Sequence, residues 1–296
     1  MPVILKYFTD YIDGWTANGV RYGFAAILFV PVLLFHGKSM PGGRSIWKAA
    51  IVPSVINVTG QVGWAWSPYY NDATVVSFVI RCAFPFSIIF GFWFLRRERA
   101  LAGSLGFWVG AAVTVLGVIL MYSGGLDHGG SSPFGLFLLV STSACWGLYS
   151  VSVGYYMSGY PSLLAFSVIC IYTAPGLVVL MLLFGDYNAL GDFSPFRWFM
   201  LLVSGILGIS IGHVLMYKII KVLGPIAMEA GHSLLPLGSL IFAAAFLGER
   251  MSGSQWVGGS LLIVGSLGII IPRLYLANPG SGEDGQTQSH VNPPAE

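Results

Sequence analysis

Residues 234–251 read LLPLGSLIFAAAFLGERM, an apolar stretch with a proline near its start and the acid–arginine pair Glu249-Arg250 near its end. Residues 83–99 read AFPFSIIFGFWFLRRER and follow the same plan, and the glutamate lies thirteen residues after the proline in both stretches. Apolar stretches of roughly 20 residues are typical of helices that cross a bilayer. The repetition therefore predicts two related sets of membrane helices.

A glycine-rich apolar stretch follows each copy and extends the repeat. Trp108-Val109-Gly110 lies seven residues before Gly117, and Trp256-Val257-Gly258 lies seven residues before Gly265. The two copies are about 150 residues apart. Such a long period is typical of transporter half-repeats and exceeds the roughly 20 to 50 residues of solenoid repeats.

The composition indicates an integral membrane protein. Of the 296 residues, 55% are hydrophobic and 9% are charged, whereas soluble domains carry about 25% charge. A net charge of +2 predicts no nucleic-acid partner. The three cysteines lie inside apolar stretches without metal-ligand spacing, so we expect neither a metal nor a cofactor.

Nine apolar stretches approach the length that a bilayer-spanning helix needs. They are residues 17–35, 47–66, 74–95, 102–123, 134–156, 162–184, 198–220, 225–247 and 255–274. The sequence thus predicts an all-α integral membrane protein with nine visible transmembrane helices.

The repeat divides the chain into two halves and a tail. Residues 1–124 hold four predicted helices and residues 133–275 hold five. The first half therefore lacks a counterpart of the first helix of the second half: either the true start lies upstream of Met1 or the protein works with one helix fewer. Residues 277–296 are rich in Gly, Pro, Ser and acids, a composition that predicts disorder.

Basic residues in the loops predict the orientation, because cytoplasmic loops carry the excess of Lys and Arg. Alternate loops hold nine basic residues: Lys38, Arg44, Lys48, Arg96, Arg97, Arg99, Lys218, Lys221 and Arg273. The opposite loops hold four: Lys6, Arg21, Arg197 and Arg250. The bias predicts an outside N-terminus and a cytoplasmic C-terminus. It also places Glu98 inside and Glu249 outside, as two halves of inverted topology require.

The repeated order of these stretches resembles the EamA-type domain of the drug/metabolite transporter superfamily. Residues 234–250 are the closer match, because the first copy has an arginine where the second has the glycine of its acid–arginine turn. Residues 135–155, which include WGLY at 146–149, resemble the opening helix of the second domain of that family. Residues 18–22, NGVRY, resemble the start of the second helix of its first domain. The resemblance covers roughly residues 17–274. It implies ten helices in two inverted halves and export of small metabolites or drugs.

Charged residues inside apolar spans are the first candidates for a substrate site, because they usually face a cavity or a partner. Arg81 lies four residues before Pro85, and His232 lies four before Pro236, so the two occupy equivalent positions. Glu229 lies three residues before His232 and shares its helix face. We expect all three to line a cavity where the halves meet. The alternative is that they hold the bundle together.

A second polar group consists of Asn57 and Gln61 on one helix face, together with His213 in the second half. Cavity lining and hydrogen bonding between helices are both open readings of these side chains. Trp146 and Tyr149 could stack on a substrate or pack in the core. The prolines of the two copies, Pro85 and Pro236, are hinge candidates, because each frees a carbonyl and can kink a helix.

Enzyme motifs are weak in this sequence. Residues 208–212, GISIG, match the pattern of a nucleophile elbow but lie inside an apolar helix, so we assign no catalytic residue. We predict a secondary transporter that exports small molecules by alternating access, with proton coupling as an option. The alternative is a membrane enzyme or a non-transporting scaffold. The expected partners are a small-molecule substrate and the bilayer, and a homodimer is left open.

The predicted orientation can be tested with single cysteines placed near Met1 and near Glu296. We expect a membrane-impermeant thiol reagent to label the first in intact cells and the second only after permeabilisation. The native cysteines lie in apolar stretches and set the background in the unmodified chain. Labelling of both termini from the same side would contradict the nine-helix prediction.

Overall fold

The structure is a computed structural model that describes residues 2–36, 45–123, 132–237 and 252–277. The described residues form helices and turns without a strand, which confirms the all-α prediction. The α-helices are α1 Pro2–Phe8, α2 Gly14–His36, α3 Ile46–Tyr70, α4 Ala73–Val79, α5 Ala83–Phe94, α6 Arg96–Arg99, α7 Leu105–Tyr122, α8 Pro133–Tyr156, α9 Ser162–Phe184, α10 Pro195–Gly205, α11 Gly212–Leu223, α12 Pro225–His232 and α13 Gly253–Ala277.

Within these ranges, six helical spans are long and apolar enough to cross a membrane, or seven if a pair bent by 91° is one span. The bent pair joins residues 96–103 to residues 105–121. The count of nine therefore stays a prediction. The second part of the predicted span 225–247, the turn Glu249-Arg250 and residues 278–296 of the predicted disordered tail lie outside the described residues.

Two predicted continuous spans contain a local change of helix type. A 3-10 turn, Ile80–Cys82, separates α4 from α5. A π-helical segment, Ile206–Ile211, separates α10 from α11. Hydropathy could not show either change, because it does not depend on the hydrogen-bond register of a helix. Segments of 3-10 or π-helix within a longer helix often mark functional positions.

The sequence does not predict helix α1, because its seven residues are too few to form a span. Lys6 donates from Nζ to the carbonyl oxygen of Pro68 at 2.7 Å. Phe8 is buried against Leu201 of α10. Five residues connect α1 to α2, as five connect α8 to α9. Helix α1 therefore lies as far before α2 in the chain as the end of α8 lies before α9.

The largest core cluster draws its buried side chains from α2, α3, α8, α9 and the region of α11. Helix α2 packs along α9, and α3 packs along α8. Helix α8 also packs against α5, so it lies between the α2–α3–α9 group and the broken helix α4–α5. This position makes α8 the central element of the bundle.

Helices α7 and α13 approach each other at glycines. A Cβ atom on Gly110 would lie 2.8 Å from the carbonyl oxygen of Gly265. A Cβ atom on Gly258 would lie 2.6 Å from the main-chain nitrogen of Met121 and 2.8 Å from the carbonyl oxygen of Gly117. Small residues permit such backbone contact between membrane helices. Any larger residue at these positions would have to push the two backbones apart.

Gly258→Ala should therefore destabilise the protein by about 1–3 kcal/mol, the usual cost of overpacking a closely packed site. The matched control is Gly253→Ala in the same helix, because a Cβ atom there meets nothing within 4 Å. Thermal unfolding of the purified proteins in detergent compares the two. Equal midpoints for both variants would contradict the close approach.

Candidate functional site

The two prolines of the repeat lie just after breaks in their helices. A proline has no N–H and leaves the carbonyl four residues earlier without its helical donor. For Pro236 that carbonyl belongs to His232, the last residue of α12. Arg81 donates to this oxygen from Nη1 at 2.7 Å, and its Nε donates to the carbonyl oxygen of Ser77 at 3.3 Å. The structure thus brings together the equivalent residues Arg81 and His232.

Glu229 is buried, with 6% of its surface exposed, one turn before His232 on α12. Its Oε2 lies 3.8 Å from Nδ1 of the His232 ring, whose side chain is 38% exposed. The hydroxyl of Ser266 donates to the carbonyl oxygen of Ala230 at 3.0 Å and ties α13 to the same helix. Glu229 and His232 therefore share one face, as their spacing predicts. Arg81 reaches this helix through a main-chain oxygen.

Asn57 lies in a buried hydrogen-bond network between three helices. Its Nδ2 donates to the hydroxyl of Thr173 on α9 at 3.1 Å and to that of Tyr22 on α2 at 3.3 Å. Gln61 is also buried, and its main-chain carbonyl oxygen accepts a hydrogen bond from Nδ2 of Asn18 at 2.7 Å. The two residues share a face of α3 and join it to α2 and α9.

His213 belongs to a cluster of aromatic rings beside that network. Its ring stacks on Phe166, with the centroids 4.9 Å apart. The ring centroids of Trp146 and Tyr149 lie 5.9 Å and 6.1 Å from the centroid of the His213 ring. The hydroxyls of Tyr149 and Tyr217 are 2.5 Å apart. A small, shallow cleft opens beside Tyr217, between the ends of α8, α9 and α11.

Helix α8 connects the two groups of predicted residues. Trp146 and Tyr149 face the His213 cluster, whereas a Cβ atom on Gly147 would lie 2.9 Å from the carbonyl oxygen of Ala83 at the start of α5. The candidate residues thus form two neighbouring groups on either side of one helix.

Arg21 is a further functional candidate, and the count of loop charges was wrong to treat it as a loop residue. It lies inside α2 and is only 2% exposed, so it is not a loop residue. Within the described ranges, its Nε and Nη1 have no hydrogen-bond partner. The sequence holds the signal, because Arg21 lies inside the predicted span 17–35. It lies close to the end of that span, where hydropathy separates loop from helix least well.

A buried ion pair closes one end of the bundle. Arg273 donates from Nη2 to Oε1 of Glu98 at 3.1 Å and from Nε to the carbonyl oxygen of Leu223 at 2.8 Å. Arg97 lies 3.4 Å from the same carboxylate. Gly224 has a φ of +87°, and a Cβ atom there would overlap Oε1 of Glu98. This pair fixes the turn between α11 and α12 against α6 and α13.

The model of the EamA-like transporter family matches residues 1–123 and 133–271. The chain belongs to this family. The match confirms the resemblance inferred from the repeated proline and acid–arginine stretches, and it falls on the two predicted halves. The protein is accordingly a membrane transporter with several apolar helices.

The transporter is similar to proteins described as the uncharacterized inner membrane transporter YedA in Escherichia coli strains K12, O6:H1 and O157:H7. It is 26% identical to each over 273 residues, which cover 88% of this chain and 80% of the relative. It is also similar to a solved structure described only as the crystal structure of a protein, with a TM-score of 0.64. That structure is 14% identical and the match covers 93% of this chain and 95% of the other, so the likeness shows the fold alone.

Glu98→Gln should destabilise the transporter, because it leaves the largely buried Arg273 without a counter-charge. Breaking a buried pair on one side costs about 3–5 kcal/mol. Asp192→Asn is the control, since Asp192 is exposed. The thermal unfolding midpoint in detergent measures both. If Glu98→Gln matched the control, the pair would not hold this end of the bundle.

Proposed function

We propose that this transporter is a secondary exporter of small metabolites or drugs that works by alternating access between two inverted halves. The observation that carries the proposal is the reciprocal contact of equivalent residues. Gly110 and Gly258 are equivalent by sequence, as are Gly117 and Gly265. Gly110 meets Gly265, and Gly258 meets Gly117.

This exchange of partners is the signature of a two-fold relation. When residue i contacts j and the equivalent of j contacts the equivalent of i, the two elements pack isologously. The contact between Arg81 and His232 obeys the same rule, because these positions are equivalent too. Two halves related in this way within a membrane support the inverted topology that the loop charges predict.

The broken helices support a substrate site between the halves. Transporters built from inverted repeats bind substrate near the midplane, where discontinuous helices expose unpaired main-chain groups. Here the breaks precede Pro85 and Pro236, and Arg81, Glu229 and His232 lie at them. We assign these prolines as hinges. The predicted polar and aromatic residues around α8 form the neighbouring wall of this site. The cleft beside Tyr217 is the entry. Lys221 lines this cleft, and basic residues at the ends of spans predict the cytoplasmic side.

The E. coli relatives described as inner membrane transporters support the same location for this chain. We propose a multi-pass protein of the inner membrane with its C-terminus in the cytoplasm.

Export can be tested before the substrate is identified. Cells that express the transporter and cells that express Glu229→Gln at equal membrane levels are compared by untargeted analysis of the growth medium. We expect at least one small compound to accumulate outside the first and not the second. Uptake of that compound into everted vesicles then distinguishes transport from secretion by another route. Conversion of the compound, without accumulation in vesicles, would favour a membrane enzyme.

The Glu229→Gln change also tests proton coupling, because it keeps the shape of the side chain and removes its titration. If Glu229 carries the proton, uptake driven by a pH gradient should fall at least tenfold while the protein folds and binds substrate. The exposed Asp10 supplies the control Asp10→Asn.

A structural pair with Arg81 gives a different pattern. Glu229→Gln and Arg81→Gln should then each lower the unfolding midpoint, and the double variant should recover much of the loss with transport retained. A stable Glu229→Gln protein with unchanged pH-driven uptake would contradict both roles.

A further inference from the structure

The side chain of Arg21 is the starting point of this inference. Only 2% of the residue is exposed within α2, and its Nε and Nη1 have no hydrogen-bond partner among the residues that the structure describes. A charged side chain inside a membrane span is costly, and such residues usually face the bundle interior and mark a substrate or ion pathway. An unpaired one is the more costly case, because nothing in the chain offsets its desolvation.

Arg273, which is also buried, shows what a paired side chain in this fold looks like. Arg273 has a carboxylate partner and two carbonyl partners. Across the described ranges, the ion pairs involve Arg97, Arg273 and His232 with Glu98 or Glu229, and Arg21 is in none of them. The missing counter-charge of Arg21 is therefore one that a ligand can supply.

Two further buried groups near Arg21 also await partners. The π-helical segment Ile206–Ile211 packs against α2, and a Cβ atom on the preceding Gly205 would lie 3.3 Å from the carbonyl oxygen of Arg21. Within the described part of the chain, Oγ of Ser210 and Nε2 of His213 are buried without a hydrogen-bond partner. His213 lies at the start of α11, directly after this π-helical segment. Three polar side chains, on α2, on the π-helical segment and on α11, thus share the same deficiency.

The hydrogen bonding of His213 defines what its free nitrogen can do. Nδ1 lies 3.0 Å from the carbonyl oxygen of Ile209, which can only accept, so Nδ1 carries the proton. In the neutral ring Nε2 is then an acceptor. A ligand that satisfies the whole group must bring negative charge to Arg21 and an O–H or N–H donor to His213.

We propose that Arg21, Ser210 and His213 form the anion-binding part of the substrate site, and that its ligand is a small anionic metabolite with a hydroxyl or amino group. This assignment rests on the proposed transport function and names the substrate class for it. Arg21 binds the anionic group, His213 accepts from the ligand's donor, and the hydroxyl of Ser210 donates to the anion. All three residues are buried in this conformation, so a ligand enters when the halves move apart.

The test uses purified full-length transporter in detergent and four probes at equal ionic strength. Lactate carries a carboxylate and a hydroxyl, and lactamide is its uncharged match. Glycerol 3-phosphate carries a phosphate and hydroxyls, and glycerol is its uncharged match. The unfolding midpoint is measured for the wild type, for Arg21→Gln and for the control Arg96→Gln, whose arginine is exposed.

We expect lactate or glycerol 3-phosphate to raise the midpoint of the wild type and of Arg96→Gln by about 2 °C or more, and the uncharged probes to leave it unchanged. A response to only one of the two anions shows whether the site binds a carboxylate or a phosphate group. Arg21→Gln should abolish the response. Without any probe, Arg21→Gln should be at least as stable as the wild type, because it removes an unpaired buried charge.

Three outcomes would overturn the assignment: neither anion acts, an anion acts equally on Arg21→Gln, or Arg21→Gln is unfolded or less stable without ligand. The last result would make Arg21 a structural residue. None of these outcomes touches the proposed export function, which depends on the vesicle experiment with Glu229→Gln and would then apply to uncharged or cationic compounds.

Discussion

The constraint behind this structure is that a membrane offers no water to a main-chain carbonyl that has lost its helical donor. Pro236 removes the donor of the His232 carbonyl, and Arg81 replaces it from the other half of the chain. The break in one helix is therefore satisfied by a side chain at the equivalent break of another. This dependence ties the conformation of α12 to that of α4 and α5, and it places a positive charge where the two halves meet.

The buried charges of the described residues fall into two kinds. Glu98 and Arg273 compensate each other at the end of the bundle, and they fix a turn whose glycine leaves no room for a side chain. Glu229 lies within the bundle with only His232, 3.8 Å away, as a possible counter-charge. Arg21 lies within the bundle, and its Nε and Nη1 have no hydrogen-bond partner among the described residues. Stability accounts for the first pair, because removing either member leaves the other exposed to a low dielectric. The roles proposed above for Glu229 and Arg21 are functional ones.

The sequence could predict what depends on long apolar stretches and on their repetition. The all-α fold followed from the long apolar stretches, and the resemblance to the family followed from the spacing of Pro85 and Pro236 to their glutamates. The family match confirms this resemblance. The shared face of Glu229 and His232 also followed from spacing. The 3-10 and π-helical segments did not, because a change of hydrogen-bond register leaves hydropathy unchanged. Arg21 is misassigned by the sequence for a related reason: its loop or helix position depends on where α2 begins, and hydropathy places helix ends only to within a few residues.

The contact of α7 with α13 has a consequence for how the protein can move. Backbone atoms that touch at Gly110, Gly117, Gly258 and Gly265 have no side chains between them to rearrange. Sliding one helix past the other would drive carbonyl oxygens into main-chain atoms, so we expect the pair to keep its geometry through the transport cycle. It would serve as a fixed pivot, with the motion confined to the broken helices and to the elements packed on α8.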